Sequence, residues 1–295
     1  MATLQDLRRR IRSIKNTRKI TKAMELVASA RLRRAQARIE QMREYAETMR
    51  ELMAGTARAS ASVRGIPLLQ RREVRTVAII PLTADRGLAG AFNAQVLRRS
   101  FALERSARAE GAKVRWLVAG KKGRSTLNFR RYKLDGAWTG FTDRPSYSDA
   151  QAIAHRLTEL YAAEEIDRAV LVYNEFVSAL VQRVRAREVL PISEELLETD
   201  EEERREAAHR GDFIYEPEPE QILARLLPVY LETEIYRALL ESAASEQGAR
   251  MTAMRNATKN AGELIDDLTL EMNRARQQEI TQEILEVVAG ADALA

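Results

Sequence analysis

The chain has no cysteine, so disulfides, thiolate metal sites, cysteine nucleophiles and a thiol-based redox switch are all excluded. Aromatic residues make up only 5% of the 295 positions, a poor supply for a protein built wholly of packed globular domains. Ala, Arg, Glu and Leu are abundant in their place, and that composition belongs to long helices. No apolar run approaches the roughly 20 residues that span a bilayer. The N-terminus has no hydrophobic signal core, because charges begin at Asp6 and recur through Arg12. The chain is expected to be soluble or peripheral to a membrane, with its arginine-rich start read as structure and not as a targeting segment. A hydrophobic content of 45% excludes a disordered chain.

What the sequence does have is two ends with the same rhythm. Ala28, Leu32, Ala35, Ile39, Met42, Ala46, Met49 and Met53 alternate steps of four and three, and Met251, Met254, Ala261, Ile265, Leu268, Met272 and Ala275 repeat the pattern with Thr258 in the one polar slot. Such a repeat keeps a narrow stripe on one side of a helix and normally buries it against another helix. Each end is the natural partner of the other in an antiparallel coiled coil. Extending the register upstream gives Ile14, Ile11, Leu7 and Leu4, but Arg18, Thr21 and Glu25 interrupt it. Ile20, Met24 and Val27 lie on a neighbouring face, so the stripe is expected to rotate there. Between Arg8 and Arg38 twelve basic residues face a single acid, Glu25, whereas the C-terminal segment is rich in acids. Opposite signs favour pairing of the two segments over self-pairing of either.

The predicted architecture is an α/β domain carried on this coiled coil: an N-terminal helix over residues 1–62, a central domain with a mostly parallel sheet over 63–215, and a C-terminal helix over 216–295. The first helix, from about Leu4 to Ala59, would be roughly 80 Å long. Strands are predicted at Val77–Ile80, Val114–Val118 and Ala169–Tyr173, helices at Phe92–Ala109 and from Ser146 to about Ala163, and a further strand or hairpin between Val177 and Leu190. The second long helix starts near Pro219, and Pro228 should kink or break it.

Catalysis finds little support. Gly87-Leu88-Ala89-Gly90 lacks the spacing of a dinucleotide loop, and Gly120-Lys121-Lys122-Gly123-Arg124-Ser125 lacks that of a phosphate loop, so both read as turns. His155 and His209 have no metal-ligand spacing to each other or to carboxylates. The basic N-terminal segment could grip nucleic acid, but it has no aromatic residue before Tyr45 for base stacking, and an acidic protein surface suits it better. A nucleotide-dependent switch built on the α/β domain is the other rival reading.

The stretch Ile11-Arg12-Ser13-Ile14-Lys15-Asn16-Thr17-Arg18-Lys19-Ile20-Thr21-Lys22-Ala23-Met24 closely resembles the N-terminal signature of the γ subunits of F-type ATP synthases. Ala261–Leu270, Asn273–Glu283 and Asp85-Arg86-Gly87-Leu88 through Phe92-Asn93 resemble the same family, collinearly and along the whole chain. The resemblance implies a non-catalytic central rotor subunit, one copy per complex. It would transmit torque between a membrane c-ring and a ring of α and β subunits, beside ε, coupling proton or sodium flow to ATP synthesis or hydrolysis. No cofactor is then expected in this chain, since Mg-ATP and Mg-ADP are bound by partner subunits, and no nucleic acid. The expected place is the cytoplasmic face of a bacterial plasma membrane, reached through the c-ring.

By the same resemblance Arg276, Gln277 and Thr281 would hydrogen-bond the β-subunit catch loops. Lys22 and Met24 would pass an acidic β loop, with seam packing an equal alternative for Met24. Tyr215 and Glu216 would face the c-ring. Ile284, Leu285 and Val288 would turn in a hydrophobic bearing, and Leu32, Ile39, Met42, Met254, Ile265, Leu268 and Met272 would form the seam. Ala89 stands where many relatives carry cysteine, the acidic Glu194–Glu206 stretch follows no motif of the family, and the cysteine-bearing insert of the chloroplast type is absent.

Overall fold

Among the described residues, five strands form one sheet in the order β3-β2-β1-β4-β5. They are β1 (Thr76–Pro81), β2 (Lys113–Ala119), β3 (Leu134–Trp138), β4 (Arg168–Phe176) and β5 (Gln182–Leu190). The first four run parallel, and β5 returns antiparallel to β4. The computed structural model describes residues 3–59, 66–193 and 217–292.

Alternation along β1 sends successive side chains to opposite faces of the sheet. Val77 and Ile79 join Val96, Trp116 and Leu127 on the face covered by α2 (Phe92–Ala109) and α3 (Lys121–Phe129). Ala78 and Ile80 join Ile153, Leu157, Leu223 and Leu227 on the other face. That face is covered by α4 (Tyr147–Ala162) and by the early turns of α5 (Pro219–Asp292). Ile79 and Ile80 are fully buried, each contributing about 2 kcal/mol of hydrophobic stabilisation. Ser146 starts α4 with a capping box, its backbone N–H donating to Asp149 Oδ2 at 2.8 Å.

The helix predicted at Phe92–Ala109 forms over those residues, and Val177–Leu190 resolves into a turn at Ser178–Val181 followed by β5. Two elements go beyond the sequence reading. Helix α3 occupies the stretch read as a turn, because Gly120 at φ 96° provides its N-cap and only Gly123 and Leu127 of its nine residues are buried. Strand β3, Leu-Asp-Gly-Ala-Trp, is five residues long and has no apolar alternation. A break at Pro228 does not occur. Helix α5 runs unbroken through it, held by the buried side chains of Leu223, Leu227, Tyr230 and Leu231 on either side.

Helix α1 spans Leu4–Ala59, 56 residues, and α5 spans 74. The chain groups into two compact units: α1 up to Ser29 with α5 from Arg250 onward, and Ala30–Ala249. Tyr215, Glu216, His209 and the acidic Glu194–Glu206 stretch lie outside the described residues.

Candidate functional site

In the unit formed by the chain ends, Leu7, Ile11, Ala28, Met251, Met254, Ala261 and Ile265 are buried, and Leu4, Ile14, Leu268 and Met272 are half-buried. Thr21 Oγ1 meets Thr258 Oγ1 at 2.8 Å, and Arg255 Nε donates to Glu25 Oε1 at 3.1 Å. Contact positions rise on one helix as they fall on the other, which makes the pairing antiparallel.

The expected rotation of the stripe is wrong. Thr21 and Glu25 continue the three-four register and are themselves buried, Glu25 being only 7% exposed. Ile20 and Val27 stand at 60% and 53% exposure. The seam stays in place because its polar members find partners across it or beside it: Thr21 bonds Thr258, while Glu25 accepts from Lys22 Nζ and from Arg255, both at 3.1 Å. These hydrogen bonds, from Lys22 first and Arg255 second, hold the Glu25 carboxyl below its ordinary value. The cross-helix ion pair also runs against the overall charge bias, with the acid on the basic helix.

Sequence-predicted contact residues fall into distinct settings. Lys22 is exposed and paired with Glu25, whereas Met24 is half-buried at the margin of the seam. Beyond Ala275 burial stops, and every side chain from Arg276 to Ala289 is exposed. Arg276, Gln277 and Thr281 belong to this stretch, Thr281 Oγ1 donating back to the Gln277 carbonyl at 2.8 Å. So do Ile280, Ile284, Leu285, Val287 and Val288, the last three on different sides of the helix and Val287 72% exposed. The expected pairing of the Ala28–Met53 stripe with the Met251–Ala275 stripe does not form, because Thr258 and Arg255 sit opposite Thr21 and Glu25, which makes the upstream segment the partner. Leu32, Ile39 and Met42 belong to the other unit, Leu32 buried and the other two half-buried, and Met49 and Met53 of the same stripe join the core under the sheet.

The other place to look for chemistry is the C-terminal edge of the parallel strands, where open α/β sheets hold their ligands. Here the edge is closed by its own residues. At the start of α3, the Lys121 N–H donates to Asp85 Oδ1 at 2.9 Å, the Lys122 N–H to the Ala84 carbonyl at 3.1 Å, and the Gly123 N–H to Thr83 Oγ1 at 2.9 Å. The second Asp85 oxygen accepts from the Gly140 and Thr142 N–H groups at 2.8 and 3.1 Å, tying three strand ends together. Asn93 Oδ1 accepts from the Ala84 N–H at 2.8 Å, so the Asp85 to Asn93 motif braces loops. A Cβ on Gly120 would lie 2.0 Å from the Thr83 carbonyl oxygen, a contact that only glycine allows. This closure leaves no local signature along the chain, because its partners lie 36 to 57 residues apart. Among the described residues no cluster of His, Asp and Glu could hold a metal ion, and no helix is long and apolar enough to cross a membrane.

The family model described as ATP synthase matches residues 3–294. The ATP synthase gamma chain of Rubrobacter xylanophilus is 49% identical over all of this chain and 99% of its own length. That of Moorella thermoacetica is 44% identical over the whole of both chains. Among solved structures, the central stalk and c-ring assembly of Tetrahymena thermophila mitochondrial ATP synthase contains a chain 27% identical, with a TM-score of 0.58, covering 81% of this chain and 99% of that one. A chain of the Euglena gracilis mitochondrial ATP synthase shares the fold at a TM-score of 0.69 and 18% identity, covering 99% of this chain and 94% of that one. With a full-length family match and relatives this similar from end to end, the chain belongs to the ATP synthase gamma chain family.

Proposed function

We propose that this gamma chain, a central stalk subunit, transmits torque between a membrane c-ring and a catalytic ring of α and β subunits, coupling proton or sodium flow to ATP synthesis or hydrolysis. The chain itself is non-catalytic, and Mg-ATP and Mg-ADP sit on its partners. The observation that carries this reading is the end of α5, from Arg276 to Ala289, where large apolar side chains stand exposed on several sides of a single helix. Surface of that kind requires a surrounding sleeve. A ring of other subunits would supply it, with Ile284, Leu285 and Val288 turning in its bearing. Arg276, Gln277 and Thr281 present polar groups just below those residues, suited to hydrogen-bonding β-subunit loops. Lys22 and Met24 would meet a second β surface, and Tyr215 and Glu216 the c-ring. Rotation biases the β subunits if the shaft contacts each of their conformations with a different free energy. The subunit would lie at the cytoplasmic face of a bacterial plasma membrane through the c-ring, beside ε.

Subunit stoichiometry in a native membrane extract tests the assignment. One copy of this chain per three copies of each of two larger ATP-binding subunits is expected, and equal numbers would overturn the rotor. Arg276→Ala should leave assembly intact while lowering coupled ATP synthesis. Normal synthesis and hydrolysis by the purified variant complex would remove Arg276 from the contact set.

A further inference from the structure

We propose that a cavity in the Ala30–Ala249 unit is a binding site for a small oligophosphate anion, built by Arg31, Arg34 and Arg38 of α1 and by Arg144 in the loop after β3. The cavity measures about 280 Å³, on the scale of a small-ligand site. Ala35 sits among the three arginines of α1, and Leu240 and Ala243 of α5 complete an apolar floor. None of these residues belongs to the contact set assigned to the rotor, so the site stands independently of that function.

Arg31, Arg34 and Arg38 follow each other at steps of three and four, which places them on one face of the helix, where like charges repel. A fourth guanidinium, Arg144, joins them from a segment more than a hundred residues away. The single acid of the lining, Asp143, is already engaged: it forms an ion pair with Arg31 and accepts from Gln247 Nε2 at 2.5 Å. Arg34, Arg38 and Arg144 make no ion pair with any described residue, so three guanidinium groups around one cavity have no carboxylate partner among the described residues.

The Arg144 N–H closes a turn on the Phe141 carbonyl at 2.8 Å, and Thr142 within that turn is bonded to Asp85 through both its N–H and its hydroxyl at 3.1 Å. Arg144 therefore projects from a braced loop, and Arg31 is fixed by Asp143. Ala35, with only a methyl group, lets an anion approach the helix between Arg31 and Arg38. Planar guanidinium groups match phosphate oxygens in pairs, and several of them around one cavity select a multivalent anion over a single carboxylate. A cavity of this size favours a free or nucleotide-borne diphosphate over an extended acidic polypeptide.

Calorimetric titration of the full-length purified chain with pyrophosphate, without magnesium, tests the site. One saturable binding event is expected, weakening as salt is raised. Arg38→Ala and Arg144→Ala should each reduce affinity by about tenfold or more, the scale of one charged hydrogen bond. Arg99→Ala, an exposed arginine on α2, should leave it unchanged. Folding is checked separately: pyrophosphate should raise the thermal midpoint of the unmodified chain and not that of Arg38→Ala, both unfolding cooperatively. ADP identifies the source of the phosphate. Equal affinity means that only the phosphates are read, and tighter ADP binding places the nucleoside on the floor at Leu240 and Ala243. Absence of saturable binding, an equal loss with Arg99→Ala, or binding of an oligoglutamate peptide but not of pyrophosphate would overturn the proposal.

Discussion

At the C-terminal edge of the sheet, the N–H groups that open α3 are all taken by Thr83, Ala84 and Asp85, whereas over the last turns of α5 large apolar side chains stand in the open. The first region belongs to an architecture known for binding nucleotides, and it has used its donors on itself. The second is a plain helix, and its interaction capacity is unspent. For this chain the place that resembles an active site is structural, and the place that resembles a surplus of helix is where partners are to be sought. The paired stretch below the tip lies between these extremes, since its seam residues are buried or hydrogen-bonded across the pair while Ile20 and Val27 stay exposed.

Four substitutions or conditions separate these regions by their effect on folding. Gly120→Ala should be the most damaging, because its Cβ would meet the Thr83 carbonyl oxygen at 2.0 Å in a backbone conformation with φ 96°. A loss of about 3 kcal/mol or more is expected in urea denaturation, and a near-wild-type midpoint would show that the closed edge is slack. Ile265→Asp places an unpaired charge in the seam and should cost about 3 kcal/mol, read as early melting of the paired ends by hydrogen exchange. Unchanged protection around Met254 and Ala261 would argue that the two helices do not depend on each other.

Acidification should act more mildly. The folded-state pKa of Glu25 is depressed below its ordinary value of 4.5, so its contribution is present above that value and is lost as pH falls through the lower, folded value. The paired ends should loosen in that acid window, and Glu25→Gln should flatten this part of the profile. A variant with the same acid slope as the unmodified chain would show that Glu25 does not supply it. The smallest effect on folding is expected from truncation after Ala275. The thermal midpoint of the chain alone should not move, while association with the catalytic ring should weaken strongly. A large drop in midpoint would mean that the exposed tip is packed against its own chain.

Much of this contrast was legible in the sequence, and the parts that were not share a cause. The three-four repeat from Met251 to Met272 marked one of the paired helices, because it depends on neighbours along that helix, but its partner is Leu4 to Ala28 and not the more regular stripe from Ala28 to Met53, whose Met49 and Met53 join the sheet core. Thr21 and Glu25 were misread as interruptions, since polarity at a seam position looks like exposure until Thr258 and Arg255 are seen opposite. Strand β3 and helix α3 left little trace because most of their side chains are not buried and apolar spacing was the signal sought. Pro228 gave a local signal that tertiary burial overrode. The arginine cavity needed the fold to bring Arg144 beside α1, although the spacing of Arg31, Arg34 and Arg38 alone marks one of its walls.

The Asp85 carboxylate can be viewed as an intramolecular ligand. It presents an anion to the start of α3 at an effective concentration fixed by the chain, far above that of any dissolved competitor. A free phosphate arriving there would have to displace a group that cannot diffuse away and that also holds Gly140 and Thr142. Changing Asp85 would therefore do more than loosen three loops, for it would vacate a seat suited to an anion.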